Sequence, residues 1–168
     1  MERELLLLGL LKREQMHGYQ LHEFIDSYMQ TCVDIKKPTA YYLLDKMERQ
    51  GLITRKEEKK GNRPTRRVYS MTTAGEERFQ HLLRRNLATY QQNLYPNNTG
   101  FIFLQELPLD EAVALLLQRR QLIRARLQEA KGAPHHPSGM QYMIDHQITM
   151  LQAELTWLEG VIERLQAE

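Results

Sequence analysis

Apolar and polar positions change period several times along this chain, and the changes mark out its elements. The opening run LLLLGLL, flanked by Glu, Arg and Lys, suits a strand or a buried helix; its straight-chain leucines lose little rotamer freedom in a helix and favour that reading. After Gly18 the stretch YQLHEFIDSYM places Leu21, Phe24, Ile25 and Tyr28 at helical spacing. A polar break over residues 31–37 ends at Pro38, which fits the first turn of a third helix, TAYYLLDKMERQ, closed by Gly51. There Ala40, Leu43, Leu44 and Met47 form an inward stripe. The period then falls to two: residues 52–56 and 66–71 read as antiparallel strands joined by KKGN, with Ile53, Val68 and Tyr69 as β-formers. Two strands alone are marginal in water, so this hairpin has to lean on the helices.

Thr73 and Glu76 have capping-box spacing at the head of a fourth helix expected to carry Phe79, Leu82, Leu83, Leu87, Tyr90 and Leu94. The turn formers of YPNNTG predict a loop. Two more helices follow. One begins after Pro108, with Asp110 and Glu111 in its opening turn where the helix dipole favours acids, and ends before GAPHHPSG. The other opens on Ser138, with Gln141 three residues on, and repeats Ile144, Ile148, Leu151, Leu155, Leu158, Ile162 and Leu165 at the 4-3 spacing of a coiled-coil seam. Met143, Met150 and Trp157 make a second stripe beside it. A band that wide either serves two neighbours, the preceding helix and the same helix of a second subunit, or is consumed by one compact C-terminal bundle; the first reading assigns the stripe of residues 144–165 to dimerisation.

Charge adds a direction to this layout. The formal net charge is only +2, yet residues 1–90 hold 17 Lys and Arg against 12 Asp and Glu (+5), while 91–168 hold 6 against 9 (−3). The basic half is the face for a polyanion. A helix held across the second of three, followed by a basic hairpin, is a layout that reads duplex DNA, with the helix in the major groove and the hairpin along the backbone. Lys36 and Lys37 stand at the start of the third helix, where free N–H groups also favour a phosphate. Thr39, Tyr42, Asp45, Lys46 and Arg49 lie off the apolar stripe; Thr39 and Tyr42 are placed for base edges, Lys46 and Arg49 for phosphates. Asp45 would be repelled by phosphates unless it pairs locally. In the hairpin Arg55, Lys56, Lys59, Lys60, Arg63, Arg66 and Arg67 against Glu57 and Glu58 give a local +5, suited to counterion release from a duplex. The competing reading of the same charge is an adaptor whose hairpin binds an acidic protein partner.

Other classes are poorly supported. No stretch approaches the roughly 20 apolar residues that span a bilayer, and the N-terminus lacks a signal peptide's cleavage region, so a cytoplasmic protein is expected. The single Cys32 has no internal disulfide partner. His135 and His136 lie in a Pro/Gly connection, and His146 lacks an acidic or thiol partner at ligand spacing, so neither metal nor cofactor is expected. Without a Gly-rich phosphate loop, a serine elbow or paired carboxylates, enzymatic activity is not expected. Met143, Met150 and Trp157, near Met140 and Tyr142, either line a cavity for a small hydrophobic or aromatic effector or fill core.

Taken in register, LLLLGLL, HGYQL at 17–21, TAYYLLDKMERQGLI at 39–53 and GNRPTRRVYSMTTAG at 61–75 resemble the winged-helix regulators of the PadR family, the phenolic-acid-decarboxylase repressors. The resemblance covers about the first 75 residues; the remainder is similar to the family's larger subgroup in helical layout. It implies a homodimeric bacterial transcription factor, usually a repressor, responsive to aromatic compounds or drugs. Tyr41 matches the family's recognition-helix tyrosine, Leu44, Met47 and Glu48 its Leu-x-x-Leu-Glu pattern, and RPTRRVY its wing. Gln15-Met16 departs from the family, where a proline is common. The expected fold is mostly α with a small β-hairpin: an N-terminal winged helix-turn-helix domain at 1–95 and a C-terminal helical, coiled-coil-like dimerisation domain at 96–168.

Overall fold

Leu7, Leu8, Leu10 and Leu11 resolve the ambiguity of the N-terminal run: all four are buried on one helix, α1 (Glu2–Arg13). In this computed structural model residues 1–13, 16–17, 35–58, 66–136 and 139–167 are described, with backbone alone for 16, 17, 58 and 66. The expected helix over residues 18–29, Cys32, the KKGN turn, Pro64 and the Ser138 cap lie outside the described residues. The chain divides into two units, Met1–Gln92 and Asn93–Glu168.

In the first unit β1 (Met16–His17) is followed by α2 (Lys37–Arg49), β2 (Ile53–Glu58), β3 (Arg66–Met71) and α3 (Thr73–Ala88). Pro38 sits in the first turn of α2, and Ala40, Leu44 and Met47 are buried with Leu43 packed beside them. Gly51, at φ +71°, closes that helix: its N–H donates to the Glu48 carbonyl at 2.9 Å and the Leu52 N–H to the Met47 carbonyl at 2.9 Å, a Schellman pattern that needs a left-handed residue. The sheet has three antiparallel strands in the order β1-β3-β2, with Met16 opposite Tyr69 and Arg55 opposite Tyr69 from the other side. The extra strand is only two residues long, too short to display a period in sequence. One core joins Leu7, Leu11, Ile35, Leu44, Met47, Ile53, Tyr69 and Leu82. Gly9 admits Phe79 of α3, whose ring would lie 3.1 Å from a Cβ there, and ion pairs Arg78–Glu4 (2.8 Å) and Lys12–Glu76 flank the crossing.

α3 differs from expectation at both ends. Its cap is Thr72, not Thr73: Thr72 is extended (φ −95°, ψ 173°) and its hydroxyl accepts from Gly75 N–H at 3.0 Å. The helix stops at Ala88, because Thr89 turns extended and donates its hydroxyl back to the Arg85 carbonyl at 2.7 Å. Tyr90 and Leu94 therefore fall beyond the helix, and with Leu87 they are exposed rather than part of its apolar face.

In the second unit the expected YPNNTG loop is a 3₁₀ segment from Pro96, Pro96–Glu106, interrupted at Phe103 (φ −115°, ψ 20°). α4 (Leu109–Lys131) starts after Pro108, and α5 (Gly139–Gln166) packs along it. Leu116 and Ile123 of α4 meet Leu158 and Ile162 of α5, with Leu151, Leu155, Val161 and Leu165 packed around them. Arg119–Glu154 at 2.7 Å and Arg124–Glu159 at 2.5 Å bridge the two helices. No helix among the described residues is long and apolar enough to cross a membrane.

Candidate nucleic-acid interface

The outward side of α2 collects the predicted DNA-facing residues. Lys36, extended at the cap with no side-chain bond to the helix, and Lys37 are exposed at the positive end of the helix dipole, an arrangement that attracts a phosphate. Tyr42 is 60% exposed, Lys46 and Arg49 are exposed, and Thr39 is half-buried. Tyr41, the tyrosine matched to the family's recognition helix, is half-buried and packs against the core instead of standing free.

Asp45 finds a local partner. Arg55 of β2 places Nη1 3.3 Å from Asp45 Oδ1 and Nε 3.4 Å from Glu48 Oε1, and Arg49 Nε donates to the Asp45 carbonyl at 3.3 Å. Sheet register explains the reach. Ile53, Arg55 and Glu57 share a face with Met71, Tyr69 and Arg67, and Ile53 and Tyr69 are core, so Arg55 leaves the strand on the side that meets α2. Arg55 thus differs from the other hairpin cations with which it was grouped. Opposite it the Tyr69 hydroxyl is buried, and burial pushes the phenol up, with Arg67, Asp45 and Arg55 the charges nearby. Lys56 and Arg67 are exposed. Lys59, Lys60 and Arg63 lie outside the described residues, and Arg66 is described by backbone alone, at the start of β3.

α2, the sheet and α3 meet at one junction that sequence reasoning missed. The Thr72 hydroxyl donates toward the carbonyls of Gly51 (2.7 Å) and Leu52 (3.0 Å), and Thr72 N–H donates to the Leu52 carbonyl at 3.1 Å. Gly75 closes the junction: a Cβ there would run into that same Leu52 oxygen and stand 2.8 Å from Met71 Cγ. The sequence signal was a threonine one residue before the supposed cap and a glycine inside a helix start, each explicable otherwise.

In the second unit the predicted dimerisation stripe splits. Leu158 and Ile162 are buried against α4 within the chain and have no surface to offer a second subunit; Leu151, Leu155 and Leu165 pack around the same core, and Ile144 and Ile148 are half-buried. Surface leucines occur instead on α4, where Leu115 and Leu122, seven residues apart and so on one helix face, are 48% and 65% exposed. Trp157 is 41% exposed and meets Phe101 edge-on at 4.9 Å, with the Arg119 guanidinium 5.4 Å above the Phe101 ring and 5.9 Å from the indole. Met143, Met150 and Trp157 step along α5 by about 10 Å each, so they share a face without converging on one point. His136 belongs to the helix connection, its N–H donating to Gln141 Oε1 at 3.1 Å, and among the described residues no group of His, Cys, Asp and Glu is arranged to hold a metal ion.

Residues 7–81, spanning the core of the first unit, both outer strands of its sheet and this junction, match the family described as "Transcriptional regulator PadR-like family". Through these residues the chain is similar to that family. Comparison with curated proteins finds no match. Among solved structures, Bacillus subtilis PadR in complex with operator DNA superposes with a TM-score of 0.86 at 19% identity, covering 98% of this chain and 99% of that one. The same protein in complex with p-coumaric acid gives 0.83 at 19% identity over 97% and 98%. The Vibrio cholerae virulence activator AphA gives 0.71 at 16% over 98% of both chains. At these identities the likeness establishes the fold: a mostly helical chain with an N-terminal winged helix-turn-helix region and packed C-terminal helices.

Proposed function

We propose that this PadR-like regulator binds a pseudo-palindromic operator as a homodimer in the cytoplasm and represses transcription, with residues 1–95 reading DNA and 96–168 dimerising. The observation that carries the reading is the exposed side of α2, where Lys36, Lys37, Tyr42, Lys46 and Arg49 stand together while the helix's own acids, Asp45 and Glu48, are tied to Arg55. Thr39, Tyr41 and Tyr42 belong to the end of α2 that enters the major groove. Lys59, Lys60, Arg63, Arg66 and Arg67 supply phosphate contacts from the hairpin. That a protein of this fold is known in complex with operator DNA supports the assignment.

Dimerisation rests on the apolar surface of the second unit. Leu115, Leu122 and Met150 are exposed, and with the half-buried Ile144 and Ile148 they are apolar surface that a second copy would cover, while Leu151, Leu155, Leu158, Ile162 and Leu165 hold α5 to α4. Two α2 helices then meet half-sites about one helical turn, roughly 10 bp, apart. A small hydrophobic or aromatic effector, taken up at one point of the α5 face that carries Met143, Met150 and Trp157, would release DNA by favouring another spacing of the two α2 helices. The p-coumaric acid complex of Bacillus subtilis PadR supports that class of ligand.

Fluorescence-anisotropy titration against the chain's own upstream DNA and a scrambled duplex, at two salt concentrations, tests the reading. The expected result is tighter binding to the upstream duplex that weakens steeply with salt, with the slope reduced by about one for each phosphate-contacting Lys or Arg replaced by Ala. No binding to either duplex at low salt would sink it.

A further inference from the structure

Resting on that DNA-binding reading, we propose that Arg55 is a positioning residue for operator recognition: it acts on DNA through α2, by neutralising and anchoring two carboxylates, and makes no phosphate contact of its own. Asp45 and Glu48 sit three residues apart on α2, whose outward neighbours Tyr42, Lys46 and Arg49 are exposed. Left alone, two carboxylates on a helix facing a duplex would oppose every phosphate the lysines attract. Arg55 answers both at once, Nη1 at 3.3 Å from Asp45 and Nε at 3.4 Å from Glu48. Only a forked, planar cation with several fixed donors spans two acids in this way. Its strand position agrees: Arg55 lies on the core-facing side of β2 between Ile53 and Glu57, opposite buried Tyr69. Its side chain is 32% exposed, between Asp45 at 50% and Glu48 at 29%. The clamp also fixes the start of the hairpin to the groove-entering helix, so the two DNA-contacting elements hold one relative orientation. Arg55 therefore does a different job from Lys56 or Arg67 on the same hairpin.

The test is a mutant cycle in the full-length protein, read as duplex affinity and salt slope. Arg55→Met keeps the aliphatic stem and removes the charge; it should weaken binding on the order of tenfold, because two uncompensated carboxylates now face the duplex. The same Arg55→Met change made in an Asp45→Asn, Glu48→Gln background should cost less than about twofold, since nothing is left for Arg55 to neutralise. If Arg55→Met weakens binding by the same factor in both backgrounds and lowers the salt slope by about one, Arg55 is an ordinary phosphate contact and the proposal falls. No effect in either background overturns it equally. Should Arg55→Met fail to fold, Arg55→Lys carries the cycle, because one ammonium cannot bridge both acids in that geometry. Failure of the wild-type protein to bind any duplex would instead remove the DNA-binding reading itself.

Discussion

At the scale of single residues, Thr72 and Gly75 bind the first unit together more tightly than their size suggests. Thr72 caps α3 through Gly75 N–H and donates toward the two carbonyls that end the turn after α2. Replacing it with Ala removes the cap and leaves carbonyls short of a donor, at a cost of about 1 to 2 kcal/mol in thermal or urea unfolding. Gly75 is held by space alone. Its backbone is not left-handed, yet any Cβ meets the Leu52 oxygen and Met71. Gly75→Ala should cost about 3 kcal/mol, and a melting temperature within one or two degrees of wild type would refute the close approach.

At the scale of elements, the α1–α3 crossing combines shape with charge. Gly9 lets Phe79 approach, and the Lys12 ammonium and the Gln80 amide hold the Glu76 carboxyl below its ordinary range. A depressed carboxylate adds stability above its unfolded-state pKa and loses it as pH falls through the folded value. Lys12→Met should therefore reduce stability at neutral pH and flatten its decline on acidification, as followed by circular dichroism. In the second unit α4 and α5 share one apolar seam, and Leu158 is wholly buried in it. Leu158→Ala should destabilise by about 2 to 5 kcal/mol, whereas Trp157→Ala, at a half-exposed position, should cost less; the order of the two melting temperatures decides whether Leu158 is core.

At the scale of the whole molecule, the proposed dimer and its DNA affinity rest on what the second unit leaves uncovered. Leu115 and Leu122 project from the side of α4 that α5 does not cover. Changing both to Glu should leave helicity and melting largely unaltered, yet shift sedimentation from dimer to monomer and lower operator affinity by about a hundredfold or more as the second half-site contact is lost. A dimer that survives this change would place its interface elsewhere.

The sequence by itself determined the order and type of most elements. Leucine-rich helices, a two-period hairpin, Pro38 at a helix start and Gly51 at its end are set by neighbours within a few residues. It also carries the likeness to the PadR-like family, which lies within the local stretch of residues 7–81. What it left open depended on groups far apart in the chain: β1 exists only against β3, Arg55 meets Asp45 and Glu48 across a turn, and Thr72 reaches back 20 and 21 residues to Leu52 and Gly51. The 4-3 stripe of α5 shows the limit most plainly. A seam of leucines requires a partner, but periodicity does not say which; packing gives Leu158 and Ile162 to α4 of the same chain and leaves the outward leucines on α4. The choice falls to tertiary structure because burial is decided by which surfaces meet, and no local pattern encodes that meeting.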